Sequence, residues 1–145
     1  MKAVVQRVKN ANVEIANKSF SSINSGMLIL LCIEKGDVID TIEWLANKIT
    51  TLRLFDDDNG KMNKSIKDVS GEILVISQFT LAANCKKGTR PSFDFAEEPQ
   101  KANELYLKFV DLLKKNELNV KTGRFGANMQ VTLINDGPVT FVIEK

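Results

Sequence analysis

The sequence predicts a mixed α/β fold in a single domain, with a β-rich first part, two main helices and a C-terminal strand hairpin. The chain has 145 residues, of which 43% are hydrophobic and 26% charged, as in one ordinary globular domain. Short alternating apolar runs lie near both ends, and apolar residues recur at helical spacing in two segments between them. No internal repeat or linker divides residues 1–145, so we expect one domain.

Short strand candidates follow one another through the first quarter of the chain. In the first of them the side chains of Ala3, Val5 and Arg7 share one face, which places an arginine among apolar residues. Lys9-Asn10 and Asn24-Ser25-Gly26 have the composition of turns. The four strand candidates are residues 1–8, 11–16, 20–23 and 27–33.

Two segments have the apolar period of a helix. In residues 37–49 apolar side chains recur every three or four positions, and Asp37 is a suitable N-cap. A second stripe begins beside Pro99, a residue that favours the first helical turn, and ends near Lys115. We therefore expect one main helix in each half of the chain.

The remaining strand candidates lie in the second half. Residues 73–77 form a continuous apolar run, as expected of a strand buried on both faces, whereas residues 83–95 are predicted to form a basic loop long enough to be functional. The last strand candidates are residues 120–123, 130–134 and 139–143. Asn135-Asp136-Gly137-Pro138 joins the last two, and its Asp-Gly pair favours a hairpin turn, with a functional loop as the alternative.

Composition excludes several classes of function. Lys plus Arg number 20 and Asp plus Glu 18, so the net charge of +2 is too small for a protein that coats nucleic acid. The chain has no histidine, which excludes Ser-His-Asp and Cys-His catalysis and histidine-ligated metals. Cys32 and Cys85 form no CxxC motif. No transmembrane stretch or signal segment is recognisable, so we expect a cytoplasmic protein with no metal or other cofactor.

Polar residues that follow the buried strand are candidates for a site. Ser77-Gln78-Phe79-Thr80 stands where that strand runs into the basic loop, and open α/β sheets present side chains and amides to ligands at such strand ends. The segment is either a ligand site or a polar strand end. Because no histidine can activate the Thr80 hydroxyl, the Thr80 backbone N–H is better suited to stabilise an oxyanion.

Two other charged features each have two interpretations. Arg7 either reaches water at a sheet edge or clamps a functional element, since an unpaired buried guanidinium would cost several kcal/mol. The run Asp56-Asp57-Asp58 lacks the spacing of an EF-hand and favours a solvated turn over a metal site.

Four motifs together resemble the D-aminoacyl-tRNA deacylase family, also called the D-tyrosyl-tRNA deacylase family. They are SQFTL at 77–81, GTRPSF at 88–93, TGRFGANM at 122–129 and NDGPVT at 135–140. The opening MKAVVQRV, the stretch at 52–65 and the helix that starts with PQKANELYLKFV are also similar to that family. The resemblance therefore runs from end to end of the chain.

The resemblance implies a homodimer of a three-layer α/β/β fold that hydrolyses the ester between a D-amino acid and the terminal adenosine of tRNA. It implies that a loop with a cis bond at Gly137-Pro138 acts in the partner's pocket, where its carbonyls hold the α-amino group and exclude an L side chain. Arg7 matches the arginine that fixes this loop. The opposing wall matches Ser77, Gln78, Phe79 and Thr80, and the strip near the adenine matches Phe125, Gly126, Ala127 and Met129.

An aminoacyl ester is already activated, so the Phe79 and Thr80 main-chain amides, a positioned water and the ribose 2′-hydroxyl can suffice without a side-chain base. Glycine, which lacks a side chain, is expected to be hydrolysed as well. We expect Lys86, Lys87 and Arg90 to bind phosphates near the tRNA acceptor end. The alternatives are an esterase with Thr80 as covalent nucleophile, and a noncatalytic tRNA-binding module that uses these three cations alone.

Overall fold

Ten regular elements run through the chain in the computed structural model, which describes residues 1–145. The strands are β1 (Lys2–Ile15), β2 (Lys18–Ile23), β3 (Gly26–Cys32), β4 (Phe55–Asp56), β5 (Met62–Lys64), β6 (Glu72–Ser77), β7 (Asn119–Thr122) and β8 (Gln130–Glu144). The helices are α1 (Ile39–Thr51) and α2 (Pro99–Lys114), and a short 3-10 turn covers Phe79–Ala82. Neither α-helix combines the length and apolar character that a membrane crossing requires.

The long strand β1 organises the sheet. Its first half pairs antiparallel with β3, and its second half pairs antiparallel with β2. β8 lies antiparallel along the other side of β1 through nearly its whole length. Beyond β3, the strands β6 and β7 add in parallel, which gives the order β2-β1-β3-β6-β7 with β8 on β1.

Both faces of the central strands are buried, each by a different layer. On one face Ile29 and Val75 belong to a buried cluster with the helical residues Ile42 and Phe109. On the other face Leu74 clusters with Val13 of the second half of β1, and also with residues of β2. The predicted α/β/β layering is therefore confirmed: one helical layer, the central strands, and a second β layer that β1 enters when it changes partner from β3 to β2.

The predicted turn at Lys9-Asn10 is wrong. β1 runs without interruption from Lys2 to Ile15, so residues 1–8 and 11–16 are one strand. Both residues are exposed, and the pairing of β1 with β8 shifts register between Val8 and Asn10. The polar pair therefore marks a bend where β1 passes between layers, and a bend has the same local composition as a turn.

The predicted C-terminal hairpin is also wrong. Residues 130–134 and 139–143 are two halves of β8, and both halves pair with β1. Between the pairs Val8 with Asn135 and Gln6 with Thr140, only Arg7 of β1 lies opposite residues 136–139. The Asp-Gly-Pro segment is therefore a bulge in an edge strand, because Pro138 has no N–H with which to continue the ladder.

The start of α1 differs from the prediction as well. Val38 is the N-cap residue and makes no side-chain cap bond. The Asp37 carboxylate instead accepts hydrogen bonds from the Met1 amine at 2.9 Å and from the Glu34 N–H at 2.7 Å. A buried ammonium is a stronger partner than a helix amide, which explains the loss of the cap. The second predicted helix is confirmed as Pro99–Lys114.

Candidate active site

A cavity of about 490 Å³ opens where β6 ends. One wall is formed by Ser77, Gln78 and Phe79, which follow the buried residues of β6. The facing wall is residues 125–129, the loop between β7 and β8, and the start of α2 closes a third side. The structure therefore brings together seven predicted site residues: Ser77, Gln78, Phe79, Phe125, Gly126, Ala127 and Met129.

The chain leaves β6 through a tight turn that frees two amides. The Gln78 N–H donates to the Leu31 carbonyl at 2.8 Å, which ties the strand end to β3. In the 3-10 turn that follows, Leu81 donates to the Gln78 carbonyl and Ala83 to the Thr80 carbonyl. The first N–H groups of such a turn have no partner within it. The main-chain amides of Phe79 and Thr80 are therefore not used by the turn beside the cavity.

The Thr80 side chain makes a different contact. Its hydroxyl oxygen accepts a hydrogen bond from the Gln78 side-chain amide at 2.5 Å, and Thr80 itself is exposed beside the cavity rather than part of its lining. The Thr80 hydroxyl has no other hydrogen-bond partner, so no base is placed to take its proton. This arrangement disfavours the covalent interpretation of Thr80.

The facing wall is held by packing around Gly123. The Gly123 N–H donates to the Val75 carbonyl at 3.1 Å, and a Cβ at Gly123 would lie 2.6 Å from the Met129 sulfur. The ring of Phe125 packs on Tyr106 with centroids 5.9 Å apart. The Tyr106 hydroxyl is buried, which raises its pKa, and it donates to the Val75 carbonyl at 2.9 Å. Any side chain at Gly123 would push Met129 out of place.

Arg7 holds the bulge of β8. Its Nε donates to the Asp136 carbonyl at 3.0 Å and its Nη1 to the Leu54 carbonyl at 2.8 Å. The carboxylates of Asp56 and Asp136 lie 3.3 and 3.4 Å from the guanidinium. Of the two interpretations of Arg7, the clamp is therefore the one that its contacts match, since the side chain is buried and its Nε and Nη1 both have partners.

The bulge presents an exposed tip. The Gly137-Pro138 peptide bond is cis, and both residues are exposed. Gly137 has φ +127, and a Cβ there would lie 2.7 Å from a Val139 methyl and 3.0 Å from the Val139 nitrogen. No other residue fits at this position.

Within one chain the bulge and the cavity are far apart. Ser77 pairs with Leu31, and Leu31 with Ala3, whereas the bulge lies opposite Arg7. The separation is four residues along β1, roughly 13 Å, and three strand spacings across the sheet, roughly 14 Å. The structure therefore does not bring Gly137 and Pro138 to the cavity of their own chain.

The basic loop stands at the mouth of the cavity but does not line it. Asn84 and Ser92 pair through backbone bonds of 2.8 and 3.1 Å and close the base of the loop. The exposed cations Lys86, Lys87 and Arg90 lie at its open end. Phe93 follows the base and packs edge to face on Phe79, with centroids 5.0 Å apart. The loop is thus anchored to a residue of the cavity wall.

The D-Tyr-tRNA(Tyr) deacylase family model matches residues 4–144. The chain belongs to this family. A D-aminoacyl-tRNA deacylase of Aquifex aeolicus (strain VF5) is 55% identical over 145 residues, which cover 100% of this chain and 98% of that protein. These matches confirm the resemblance inferred from the motifs.

Solved structures agree with the fold. A structure titled c-Myc DNA Unwinding Element Binding Protein superposes with a TM-score of 0.94 at 43% identity, covering 100% of this chain and 99% of that one. A second, titled as a structural analysis of a probable eukaryotic D-amino acid tRNA deacylase, has a TM-score of 0.84 at 13% identity and covers 98% of both chains. At that identity the second match shows the shared deacylase-family fold alone.

The acidic run at 56–58 is built into a turn. Asp57 accepts hydrogen bonds from the Asn59 and Lys61 amides at 2.9 and 3.0 Å and from the Asn63 side chain at 2.7 Å. The Asn63 bond and the backbone amides hold the Asp57 pKa below its usual value. No group of three or more Asp, Glu, Cys or His side chains in the chain is arranged to hold a metal ion.

Sequence reasoning missed several residues of the site. Ala96, Glu97 and Pro99 line the cavity, and the Leu54 carbonyl completes the partners of Arg7. Of these residues, only Glu97 could have been noticed from a sequence pattern, its i,i+4 spacing to Lys101. The Lys101 Nζ lies 2.6 Å from a carboxylate oxygen of Glu97. The Lys101 bond lowers the Glu97 pKa. The other contacts depend on tertiary packing that local patterns do not report.

Proposed function

We propose that this protein hydrolyses D-aminoacyl-tRNA and releases the free D-amino acid and tRNA. Membership of the family and the names of its relatives support this reaction. The observation that favours it most is local: the Phe79 and Thr80 amides lie beside an apolar cavity in a chain without histidine. Such a site suits an ester that needs oxyanion stabilisation but no strong base.

The proposed chemistry uses water and the RNA itself. Water attacks the ester carbonyl, and the amides of Phe79 and Thr80 stabilise the negative charge that develops on its oxygen. The C–O bond to the ribose then breaks, and the proton lost by water goes to the departing ribose oxygen, beside the neighbouring 2′-hydroxyl. We assign the Thr80 hydroxyl no part in these steps, because its one hydrogen bond is to the Gln78 amide and none is to a base.

We infer that the active form is a homodimer in which the bulge of one chain enters the cavity of the other. β8 has 15 residues and pairs with β1 alone, and its exposed Ile134 and Val142 make an apolar edge. The Gly137-Pro138 tip is exposed and out of reach of its own cavity. Backbone carbonyls of a rigid tip would reject an L side chain by shape, and glycyl-tRNA would pass.

We propose that the basic loop binds the tRNA acceptor end. The cellular role that follows from the proposed reaction is translation quality control in the cytoplasm. Replacing Lys86, Lys87 and Arg90 by glutamine should weaken tRNA binding and lower the slope of log affinity against log salt by about 0.7 to 0.9 per charge. Filter binding at several salt concentrations measures this slope. A changed ratio of D to L hydrolysis at unchanged affinity would contradict the assignment.

One assay tests the function directly. Purified protein is incubated with D-tyrosyl-, L-tyrosyl- and glycyl-tRNA, and the remaining ester is measured over time. We expect loss of the D-tyrosyl and glycyl esters and persistence of the L-tyrosyl ester. Stable D-tyrosyl-tRNA, or equal loss of both enantiomers, would reject the proposal.

A further inference from the structure

We propose that the rings of Phe79 and Phe93, called here the aromatic step, stack on the base of the unpaired nucleotide that precedes the terminal adenosine of the tRNA. The inference rests on the proposed function for its orientation, because it assumes that the adenosine and its ester occupy the cavity. The aromatic step is then a binding position for a second nucleotide, and one of its two rings, that of Phe93, lies outside the cavity wall.

The first observation is the exposure of two rings in contact. Phe79 is 55% exposed and Phe93 38% exposed, although they pack edge to face at an interplanar angle of 63°. Most large apolar side chains of this size are buried in a folded domain. A paired, exposed aromatic surface beside a cavity is what unpaired bases stack on in RNA-binding proteins.

The second observation is the charge placed next to the step. The backbone pairing of Asn84 with Ser92 sets Phe93 directly after the base of the loop. Lys86 and Arg90 each lie two residues beyond that base, at most about 7 Å from it along the chain. Cations at that range can bind the phosphates on either side of a stacked base, so ring and charge suit one nucleic-acid strand.

The position of Phe79 gives the order of the nucleotides. Its ring belongs both to the cavity wall and to the step. We place the exit of a strand whose terminal adenosine fills the cavity on the side of Phe79, where Phe93 is the next ring. The nucleotide on the step is therefore the one before the adenosine, and stacking alone makes the contact tolerant of base identity.

Phe95 provides a matched control. It is 59% exposed, only two residues beyond Phe93, but it lies beside Lys35 and Lys145 in a different surface depression. Its backbone carbonyl accepts from the Lys35 N–H, a bond that a substitution of the side chain retains. A loss seen for Phe93→Leu but not for Phe95→Leu is thus specific to the step.

The experiment compares D-tyrosyl-tRNA with D-tyrosyl-adenosine as substrates of the full-length protein. For Phe93→Leu we expect KM for the tRNA to rise roughly 5- to 150-fold, as the loss of one stacked base predicts, with kcat unchanged. The KM for D-tyrosyl-adenosine should not change, because that substrate has no second nucleotide. Phe93→Trp should keep the wild-type KM for both, and Phe95→Leu should behave as wild type.

An unchanged KM for the tRNA in Phe93→Leu would overturn the proposal, and so would equal losses on both substrates, which would mean that Phe93 only supports Phe79. A binding arm separates this outcome from failure of the proposed function. Wild type should bind uncharged tRNA that lacks only its terminal adenosine more tightly than the same tRNA lacking its last two nucleotides, and Phe93→Leu should bind both alike. This comparison decides the step even if no ester is hydrolysed.

Discussion

The Thr80 hydroxyl and the Thr80 amide have separate roles in the proposed site. The hydroxyl accepts from Gln78, whereas the amide is the proposed oxyanion donor. Thr80→Ala keeps the amide, so we expect kcat to fall less than about 10-fold. Thr80→Pro removes the N–H and should cost about 10²- to 10³-fold, as loss of one oxyanion donor does elsewhere.

Single-turnover hydrolysis of D-tyrosyl-tRNA measures both variants, and melting temperatures check that both remain folded. Complete loss of activity in a folded Thr80→Ala protein that still binds tRNA would revive the covalent mechanism.

Arg7 stabilises the bulge without lying in the cavity. Arg7→Ala leaves the Asp136 and Leu54 carbonyls without a donor, which should lower the free energy of unfolding by roughly 1–3 kcal/mol. A mobile bulge should also admit L substrates, so the ratio of D to L hydrolysis should fall. Arg7→Lys should recover only part of both properties, because an ammonium lacks the planar fork that serves two carbonyls.

Urea unfolding and the two hydrolysis rates measure these effects, with Arg53→Ala as the control for loss of an exposed arginine. An Arg7→Ala protein that discriminates as well as wild type would limit Arg7 to a structural role.

At the scale of elements, the start of β1 is tied to the start of α1 by the buried Met1 amine. It pairs with Glu34 at 3.0 Å and with Asp37 at 2.9 Å. Burial lowers its pKa, but the bonds to Asp37 and Glu34 outweigh burial and hold the pKa above the ordinary value of 8.0. A raised pKa means that the stabilisation is complete below pH 8 and is lost as pH rises through the folded-state value.

We therefore expect the difference in melting temperature between wild type and Asp37→Asn to be largest near neutral pH and to shrink above pH 8. Asp40→Asn, which changes an exposed carboxylate in the first turn of α1, should show no such trend. A difference that stays constant from neutral to alkaline pH would show that the amine does not titrate in this range.

The same elements show how far sequence patterns reach. Apolar periodicity predicted the buried strand at 73–77 and both helices, because the buried face or faces of an element require apolar residues at a regular spacing in the local sequence. The two wrong predictions, at Lys9-Asn10 and at the Asp-Gly pair, concern strands that bend or bulge. At such points the residue types are those of a turn, but whether the strand continues depends on its pairing with a strand distant in the sequence. The prediction of Asp37 as an N-cap was wrong for the same reason, because its carboxylate binds the Met1 amine, 36 residues away in the sequence.

At the scale of the whole molecule, the two halves of the proposed site lie too far apart to act within one chain. If the bulge acts across a dimer, one chain supplies the amides and the other supplies Gly137 and Pro138. Two inactive variants should then complement each other. Thr80→Pro damages the cavity side, and Gly137→Ala damages the bulge, because a Cβ there meets Val139 and the backbone has φ +127.

Each variant alone should form dimers with no intact site. When the two are unfolded together and refolded, about half of the dimers are mixed, and each mixed dimer pairs the intact cavity of one chain with the intact bulge of the other. One of its two sites is therefore whole, so the mixture should recover about one quarter of the wild-type rate on D-tyrosyl-tRNA. Mass measurement by light scattering confirms that dimers formed. Dimers without recovery, or a monomer with full activity, would mean that each chain carries a complete site of its own.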